Sequence, residues 1–375
     1  MRSLDELLHP ITREDFKAEY EGRKPLHIPA DGAGSKRALL PWATFNALLG
    51  QSAIWNPLTL RVARDGATVP HELYCETLPG QVTPRPRPAR VQALIAEGAS
   101  VVANDVHTLT PELHALAAVL GEAFAATIGA NVYCSFGGVQ AFATHYDTHD
   151  VFAVQTEGEK VWKLYANRAE NPISFPQDAE LARRMMKEQR GPVLQEVRMR
   201  PGDVLYLPRG WYHDALATEG ASLHVTYSVL PLYGGILFRL LEPAALQDPA
   251  FRAWLAPAWQ DDGATLAKQL AELGRRLQRL TELPEFVDEV AMTQRRSVER
   301  PVAFALPERI GVTRFRPTGL LPPMPKGTAG VALEWALSQP EFTLEMMVGS
   351  LEFIAEDVVR QVVADAERVG ALKRV

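Results

Sequence analysis

Two histidine-containing segments have the residue types and spacing of a metal site. Residues 144–150, THYDTHD, place His145 and Asp147 two positions apart, and in an extended strand residues i and i+2 point to the same side. Residues 201–215, PGDVLYLPRGWYHDA, form a turn, a short strand and a second turn that leads into His213. Two histidines and one carboxylate on the strands of one barrel make a 2-His-1-carboxylate facial triad. Such a triad binds Fe(II) and leaves positions open for a bidentate 2-oxo acid and dioxygen.

Two further histidines keep other ligand sets open. His149 is in phase with His145 and Asp147, and His224 in the run SLHVTYS could face the same interior. A site with three or four histidines would suit a cupin-type enzyme that holds Mn, Ni or Zn and uses no 2-oxo acid. We expect His149 and His224 to be neighbours of the site or core residues, and Asp214 to be a surface acid or a partner to the ligands.

Lys160 is a candidate anion-binding residue. It follows a Glu-Gly turn in the strand EKVWKLY, where alternation puts Lys160, Trp162 and Leu164 on one face. A lysine among large apolar neighbours needs an anionic partner, because an unpaired buried charge is costly. The distal carboxylate of 2-oxoglutarate would be such a partner. The same alternation permits the opposite face, with Lys163, to be the inner one, and Lys160 would then be an ordinary surface lysine.

The elements that must position these residues have the pattern of a β-sheet or barrel over residues 130–230. Short alternating runs rich in Val, Tyr, Phe and Thr are separated by Gly, Asp and Pro, as in NVYCSF, VFAVQ, KVWKLY, DVLYLP and SLHVTYSVL. A helical insert is predicted at 177–189. Upstream, residues 111–128 have helical spacing behind Pro111, and the prolines of residues 83–90 predict an extended, exposed loop.

Helical patterns dominate after residue 233. Leucines at 266, 270, 273, 277 and 280 follow steps of 4 and 3, an a/d seam that suits packing on a second copy or on another helix of the same chain. Residues 301–375 give three helical patterns typical of a winged helix. This module has eight Lys/Arg against nine Asp/Glu, so it lacks the positive charge that a DNA reader needs. We expect it to be structural or to bind protein.

Composition excludes several classes of protein. The 375 residues carry 39 Lys plus Arg against 45 Asp plus Glu, a net charge of −6 that argues against a general nucleic-acid binder. Two cysteines, Cys75 and Cys134, are too few for a disulfide scaffold or a Cys-rich metal site. No apolar run reaches the roughly 20 residues that span a bilayer. The N-terminus is too acidic and broken for a signal peptide. We expect a soluble, cytoplasmic protein with no membrane partner.

Three segments together resemble the JmjC hydroxylases, and within them the ribosomal-oxygenase group. The resemblance runs through residues 131–165, 201–215 and 222–229. It implies a mostly β catalytic domain at residues 1–232, a double-stranded β-helix of the JmjC/cupin jelly-roll type with N-terminal helical elements. It also implies a helical dimerisation segment at 233–300, and hence a homodimer, followed by a small winged-helix-like domain at 301–375.

The resemblance also assigns roles to individual residues. His145, Asp147 and His213 are the implied Fe(II) ligands, and Lys160 is the implied anchor for the distal carboxylate of 2-oxoglutarate, the co-substrate consumed with O2. Other implied co-substrate or pocket contacts are Asn131, Tyr133 and Thr226. An apolar lining that would exclude water consists of Phe142, Phe152, Trp162 and Tyr206.

The activity implied by the resemblance is hydroxylation of an amino-acid side chain in a protein or peptide, and a ribosomal protein is the first candidate substrate. Two other enzymes remain open: a hydroxylase of a biosynthetic precursor peptide or small molecule, and a metal-cupin enzyme that does not use 2-oxoglutarate. A non-enzymatic regulator that binds DNA through its C-terminal module is a third alternative, and the charge count of that module weighs against it.

Overall fold

The structure is a computed structural model that describes residues 1–32, 34–64, 67–137, 143–176, 178–217, 220–299 and 313–375. The chain divides into two compact units, Met1–Leu230 and Pro231–Val375. The predicted end of the catalytic domain at residue 232 lies two residues beyond the first unit. The second predicted boundary, between residues 300 and 301, lies outside the described residues, and the three-domain division stays a prediction.

The first unit begins with short helices and continues into a series of strands. Its elements are, in chain order, α1 (Leu4–Leu8), α2 (Arg13–Asp15), β1 (Leu26–Ile28), α3 (Trp42–Gly50), β2 (Leu60–Arg64), β3 (Ala67–Thr68), β4 (Cys75–Glu76), β5 (Arg85–Pro86), α4 (Pro88–Ala96), β6 (Ser100–Ala103), α5 (Pro111–Phe124), β7 (Ala126–Phe136), β8 (Asp150–Glu157), β9 (Lys160–Arg168), α6 (Ala179–Gln189), β10 (Val193–Met199), β11 (Val204–Leu207), β12 (Trp211–Ala217) and β13 (Ala221–Pro231).

The large sheet of this unit has the strand order β1-β11-β8-β13-β7-β6-β2-β3, and the strand pairs on either side of β8 and of β6 are antiparallel. One face packs against the N-terminal helices and α5, with Phe152 and Tyr206 in contact with the ring of Phe16. The other face carries Val151 and Ala153 and packs against a second sheet. Because both faces are covered, β8 is buried along almost its whole length.

The small sheet has the order β10-β9-β12. Trp162, Leu164 and Met199 pack from this sheet against the large one in an apolar cluster. The large antiparallel sheet together with this facing sheet confirms the predicted jelly-roll arrangement. The sequence places the chemistry-bearing side chains between the sheets, because β7, β9, β12 and β13 each present alternate residues to that space.

Glycine is required at the turn into the small sheet. Gly158, between β8 and β9, has φ +62°, and a Cβ there would lie 2.0 Å from the carbonyl oxygen of Ala221. No larger residue fits without moving the backbone of β13. This turn fixes where β9 begins and therefore where Lys160 enters the sheet.

The predicted β runs are confirmed as β7, β8, β9, β11 and β13, and the helical insert forms α6. The helix predicted over 111–128 is shorter than expected. It begins with the Thr110 side chain accepting from the Leu113 N–H, ends at Phe124, and Ala125 takes a left-handed conformation before β7 begins. The segment 83–90 is only partly extended, because Pro88 starts α4, where a proline at the first helical position costs no hydrogen bond.

The second unit is helical with one small sheet. Its elements are α7 (Ile236–Ala245), α8 (Ala264–Glu282), α9 (Pro284–Arg296), β14 (Arg314–Pro317), α10 (Thr328–Ser338), β15 (Phe342–Thr343), α11 (Leu344–Ser350), α12 (Glu356–Arg368) and β16 (Leu372–Arg374). The leucine seam lies on α8, which has no fully buried side chain among the described residues. Helices α10–α12 pack around Phe342 and Met347 beside the sheet β15-β14-β16. Among the described helices, none combines the length and apolarity needed to cross a bilayer.

Candidate metal centre

The backbone pairs the two predicted histidine ligands directly. His145 and His213 form an isolated antiparallel bridge, in which the His145 N–H donates to the His213 carbonyl at 3.0 Å and the reverse bond measures 2.8 Å. Two residues along, the Gly210 N–H donates to the carbonyl of Asp147 at 2.7 Å. Gly210 has φ +82°, and a Cβ there would lie 2.1 Å from the Ala169 carbonyl oxygen, so this turn also requires glycine.

The three side chains converge on one point. The ligand atoms of His145, Asp147 and His213 lie within 4.8 Å of one another, and His213 Nε2 is 3.6 Å from Asp147 Oδ2. The Nδ1 atoms of the histidines lie 2.9 Å from the carbonyl oxygens of Ala143 and Trp211. A proton on each Nδ1 therefore donates to the backbone, and the lone pair of each ring lies on Nε2. This is how ligating histidines are usually oriented around a metal.

Burial and charge favour the protonation state that a cation requires. Burial alone would raise the pKa of Asp147, but the nearby histidines, His213 first, outweigh it and lower the pKa below its usual value. The pKa of His213 is lowered to about 4, chiefly by burial and then by His145. At neutral pH the site thus offers a carboxylate and a neutral His213 imidazole, and a divalent metal binds such ligands. The donor set fits Fe(II).

A cavity of about 410 Å³ opens from this cluster between the two sheets. Its lining includes each residue predicted as a metal ligand or as a co-substrate contact. Its lining is Arg61, Asn131, Tyr133, His145, Asp147, His149, Val151, Lys160, Trp162, Phe175, His213, Ala215, His224, Thr226 and Ser228. The predicted face of β9 is also confirmed, because Lys160 and Trp162 point inward.

Lys160 is a buried cation with capacity for another partner. Its side chain is buried, and its Nζ donates to Ser135 Oγ at 3.2 Å. Burial lowers the pKa of Lys160 to about 8. An ammonium group has three donor hydrogens, so a carboxylate in the cavity could accept from it and offset its desolvation.

The neighbours of Lys160 add polar atoms to the same part of the cavity. The ring of Tyr133 lies 6.0 Å from Lys160 Nζ and stacks on His224 with 5.0 Å between ring centroids. His224 Nδ1 and Thr226 Oγ1 are buried with no hydrogen-bond partner among the described residues. Asn131 accepts from the Asp105 N–H at 3.2 Å. The roles predicted for Asn131, Tyr133 and Thr226 stay predictions.

The two additional histidines lie on the cavity wall. His149 lines the cavity but lies outside the three-residue cluster. The pKa of His224 is lowered well below its ordinary value by burial and then by Lys160, and its ring also meets Trp162 edge-on at 5.5 Å. His224 therefore belongs to the Lys160 side of the cavity.

Part of the predicted apolar lining is wrong. Trp162 lines the cavity, whereas Phe152 and Tyr206 lie on the helix-covered face of the large sheet. Phe142 lies outside the described residues. Strands β8 and β11 are buried on both faces, so their sequences lack the alternation that would have distinguished the two sides.

Among the residues that sequence analysis missed are Ser135, which accepts from Lys160, and Arg61 of the cavity wall. Ser135 follows Asn131 and Tyr133 at the same alternate positions of β7, so the period of two could have identified it. Arg61 comes from β2, about 70 residues before the central strands of the site, and no local signal marks it. Only the pairing of β2 with β6, and of β6 with β7, brings Arg61 to this wall.

Residues 107–233 match the family described as the JmjC domain. The chain is 32% identical over 231 residues to the bifunctional lysine-specific demethylase and histidyl-hydroxylase NO66 of Aedes aegypti. The aligned region is 60% of this chain and 34% of that protein. It is 31% identical over 246 residues to ribosomal oxygenase 1 of Gallus gallus, and this alignment covers 64% of this chain and 39% of that protein. The chain thus spans between a third and two fifths of these relatives.

The fold is also similar to a solved structure. The Escherichia coli ribosomal oxygenase YcfD superposes with a TM-score of 0.53 at 16% identity, covering 97% of this chain and 98% of that one. Another structure of the E. coli protein, with a TM-score of 0.52, contains cobalt and 2-oxoglutarate. At this identity the likeness concerns the fold.

Proposed function

Because residues 107–233 match the JmjC domain, we propose that this protein is an Fe(II)- and 2-oxoglutarate-dependent oxygenase that hydroxylates a side chain of a protein or peptide. The observation that carries the proposal is the His145–Asp147–His213 cluster, which shares one cavity with the buried Lys160. The names of the relatives, histidyl-hydroxylase and ribosomal oxygenase, make a ribosomal protein the first candidate substrate.

Each part of the cavity has a task in this reaction. His145, Asp147 and His213 would hold Fe(II), which supplies the activation of dioxygen for C–H oxidation coupled to oxidative decarboxylation of 2-oxoglutarate. Lys160 pairs with the distal carboxylate of the co-substrate, and this contact orients the keto acid end toward the metal. Asn131, Tyr133 and Thr226 supply further co-substrate or pocket contacts. The Trp162 and Val151 side chains exclude water from the reacting atoms.

Turnover of 2-oxoglutarate tests the reaction class. The purified protein, supplied with Fe(II) and host ribosomal proteins, should convert 2-oxoglutarate to succinate. Mass spectrometry should find a gain of one oxygen on one protein. The variants His145→Ala and Asp147→Ala should lose both signals. His71→Ala should retain succinate formation and the oxygen gain, because His71 is partly exposed and lies outside the cavity.

Two results would contradict the proposal. Normal succinate formation in His145→Ala or Asp147→Ala would remove the triad from the reaction. Tight binding of Mn, Ni or Zn without any binding of 2-oxoglutarate would favour the metal-cupin alternative. If oxygen is added to a precursor peptide or a small molecule while ribosomal proteins stay unmodified, the proposed reaction class holds and the candidate substrate is replaced.

We also propose that the protein is a homodimer that acts in the cytoplasm. The leucine face of α8 is not fully covered by the described residues, and Trp254 and Trp259 nearby in the chain are 95% and 86% exposed. A second copy would cover such a face. The free thiols of Cys75 and Cys134 suit a reducing compartment. Sedimentation should give twice the 41.4 kDa chain mass, and Leu270→Glu should reduce it to that of one chain.

The C-terminal module is proposed to contact protein. Its three helices and three-stranded sheet suit the winged-helix-like prediction. On α12, four acidic residues outnumber two arginines, and such a helix is unfavourable in the major groove. Fluorescence anisotropy with duplex DNA at low salt should show no binding, and a clear rise would support the regulator alternative.

A further inference from the structure

We propose that a hydrogen-bonded network behind the His145–His213 bridge positions the two histidine ligands. The network, hereafter the back-face network, consists of Thr144, Tyr165, Arg190 and Asp214. This inference rests on the proposed function, because it assigns the network to the geometry of the iron ligands. Its members are positioning residues, since they lie on the side of the bridge opposite the cavity.

The network and the ligands lie on opposite faces of the bridge, because neighbouring residues of an extended segment point to opposite sides. Thr144 precedes His145, and Asp214 follows His213. Because the bridge is antiparallel, Thr144 and Asp214 lie directly opposite each other. His213 points into the cavity, and its ring centroid lies 4.5 Å from that of His145. On the other side, Thr144 Oγ1 donates to Asp214 Oδ2 at 2.8 Å.

Tyr165 and Arg190 complete the surroundings of the Asp214 carboxylate. The Tyr165 hydroxyl donates to Asp214 Oδ2 at 2.5 Å. Arg190 Nη1 donates to Thr144 Oγ1 at 2.7 Å and to the Tyr165 hydroxyl at 2.8 Å. The same Nη1 lies 3.9 Å from Asp214 Oδ2, so the buried carboxylate has a cationic partner.

The mechanical consequence concerns the angle between the two bridged segments. Backbone bonds join the two segments at His145–His213 and again where the Gly210 N–H donates to the Asp147 carbonyl, and all of these bonds lie in the backbone. The bond between Thr144 and Asp214 adds a side-chain connection on the face away from the cavity. Each histidine ring is already held within its own segment by its Nδ1–carbonyl contact. A connection on the far face then fixes the orientation of one segment relative to the other, and with it the distance and angle between the two Nε2 atoms.

Arg190 links this connection to the insert between β9 and β10. It follows the last residue of α6, and its carbonyl accepts from the Asn167 N–H of β9 at 3.1 Å. Met186 of α6 packs with Tyr165 and Tyr212 on the same face of the small sheet. The insert is therefore attached at several points to the segments that carry the ligands.

The test measures metal geometry directly, with Co(II) as the probe. Thr144→Val keeps the shape of the side chain and removes its hydroxyl, and we expect Co(II) affinity to fall about tenfold, with a shift of the d–d absorption bands. Tyr165→Phe should act in the same direction. Thr144→Ser restores the hydroxyl and should restore both signals. Tyr206→Phe is the matched control, because it removes another buried tyrosine–carboxylate bond, to Asp150 at 2.6 Å.

The outcomes separate this inference from the proposed function. If Thr144→Val and Tyr165→Phe keep the Co(II) affinity and spectrum of the natural protein, the back-face network does not position the ligands. If Tyr206→Phe causes the same spectral shift, the effect comes from general destabilisation and the inference is wrong. If the natural protein binds Co(II) no better than His145→Ala does, the triad itself fails, and the proposed function fails with it.

Discussion

The two faces of the large sheet differ in whether their buried polar groups have hydrogen-bond partners. On the helix-covered face, the Tyr206 hydroxyl donates to Asp150 and the Tyr227 hydroxyl donates to the Leu113 carbonyl. On the cavity face, His224 Nδ1 and Thr226 Oγ1 have no partner among the described residues. A buried polar atom without a partner costs about 1–3 kcal/mol. The first face is therefore complete as a core, whereas the second has buried polar atoms that a ligand in the cavity could satisfy.

The largest expected effect concerns stability on the helix-covered face. Phe152 is fully buried and contacts the rings of Phe16, Phe124 and Tyr206. We expect Phe152→Ala to lower the free energy of unfolding by about 3–5 kcal/mol, because it removes apolar burial and leaves a void. Urea denaturation followed by tryptophan fluorescence measures this change. Phe152→Leu, which fills more of the space, should cost less.

The Phe152→Ala variant also tests whether the two faces of the large sheet are independent. The protein that remains folded should bind 2-oxoglutarate as the natural protein does, because Phe152 does not line the cavity. A loss of affinity larger than the fraction unfolded would mean that the two faces are not independent.

The cavity face should show the opposite relation between stability and function. Lys160→Met removes a buried ammonium group that has only partial compensation in the empty protein. We expect the unliganded variant to be at least as stable as the natural protein. Its Kd for 2-oxoglutarate should rise at least about 30-fold, which corresponds to the 2 kcal/mol lower limit for truncating one partner of a buried charge pair.

Lys163 supplies the control for this experiment. It lies on the same strand, points to the other face and pairs with Glu196 at 3.6 Å in an exposed position. Lys163→Met should leave the Kd unchanged, since exposed ion pairs contribute little. Equal effects of the two substitutions, measured by titration calorimetry with Mn(II) in place of iron, would contradict the assignment of Lys160.

A smaller effect follows from the lowered pKa of Lys160. The charged lysine binds the carboxylate, so affinity for 2-oxoglutarate should fall about tenfold for each pH unit above about 8. Stability of the empty protein changes with the opposite sign. The unfolded state binds more protons between pH 8 and 10.5, so the contribution of Lys160 to stability rises with pH over that window.

The groups that face Lys160 do not titrate in this window. Burial raises the pKa of Tyr133 and of Cys134 to about 12, and it lowers the pKa of His224 far below neutrality. Calorimetry at pH 7, 8 and 9 therefore reports on one residue. The profile of Lys160→Met should be flat, and a slope like that of the natural protein would assign the pH dependence to another group.

Much of the site could be predicted because its residues lie close together along the chain. The predicted strand through His145 and Asp147 is reduced to an isolated bridge at His145, yet the two side chains do converge as a period of two predicts. The inward face of β9 follows once Trp162 and Leu164 are recognised as core residues. Alternation failed for Phe152, which was predicted to line the cavity and lies on the helix-covered face. Strand β8 is apolar on both faces, so its sequence carries no information about which face meets the cavity.

The back-face network was outside the reach of sequence analysis for a different reason. Thr144 and Asp214 are 70 residues apart, and they meet only through the bridge between His145 and His213. Arg190 comes from an insert whose sequence predicts a helix and nothing about its partners. Contacts of this kind depend on strand register, which a one-residue shift would change completely.

The smallest expected effect concerns His149, the histidine whose role the sequence left open. It lies two residues beyond Asp147 and lines the same cavity, yet the three-residue cluster does not include it. A metal ligand forms a bond to the ion, whereas a residue that only lines the cavity does not. We therefore expect His149→Ala to change Co(II) affinity by less than about twofold, whereas His145→Ala should abolish Co(II) binding. Co(II) titrations of both variants, followed by d–d absorption, make the comparison. A loss in His149→Ala as large as that in His145→Ala would mean that the site has a third histidine, and the 2-oxo acid would then compete with His149 for its position on the metal.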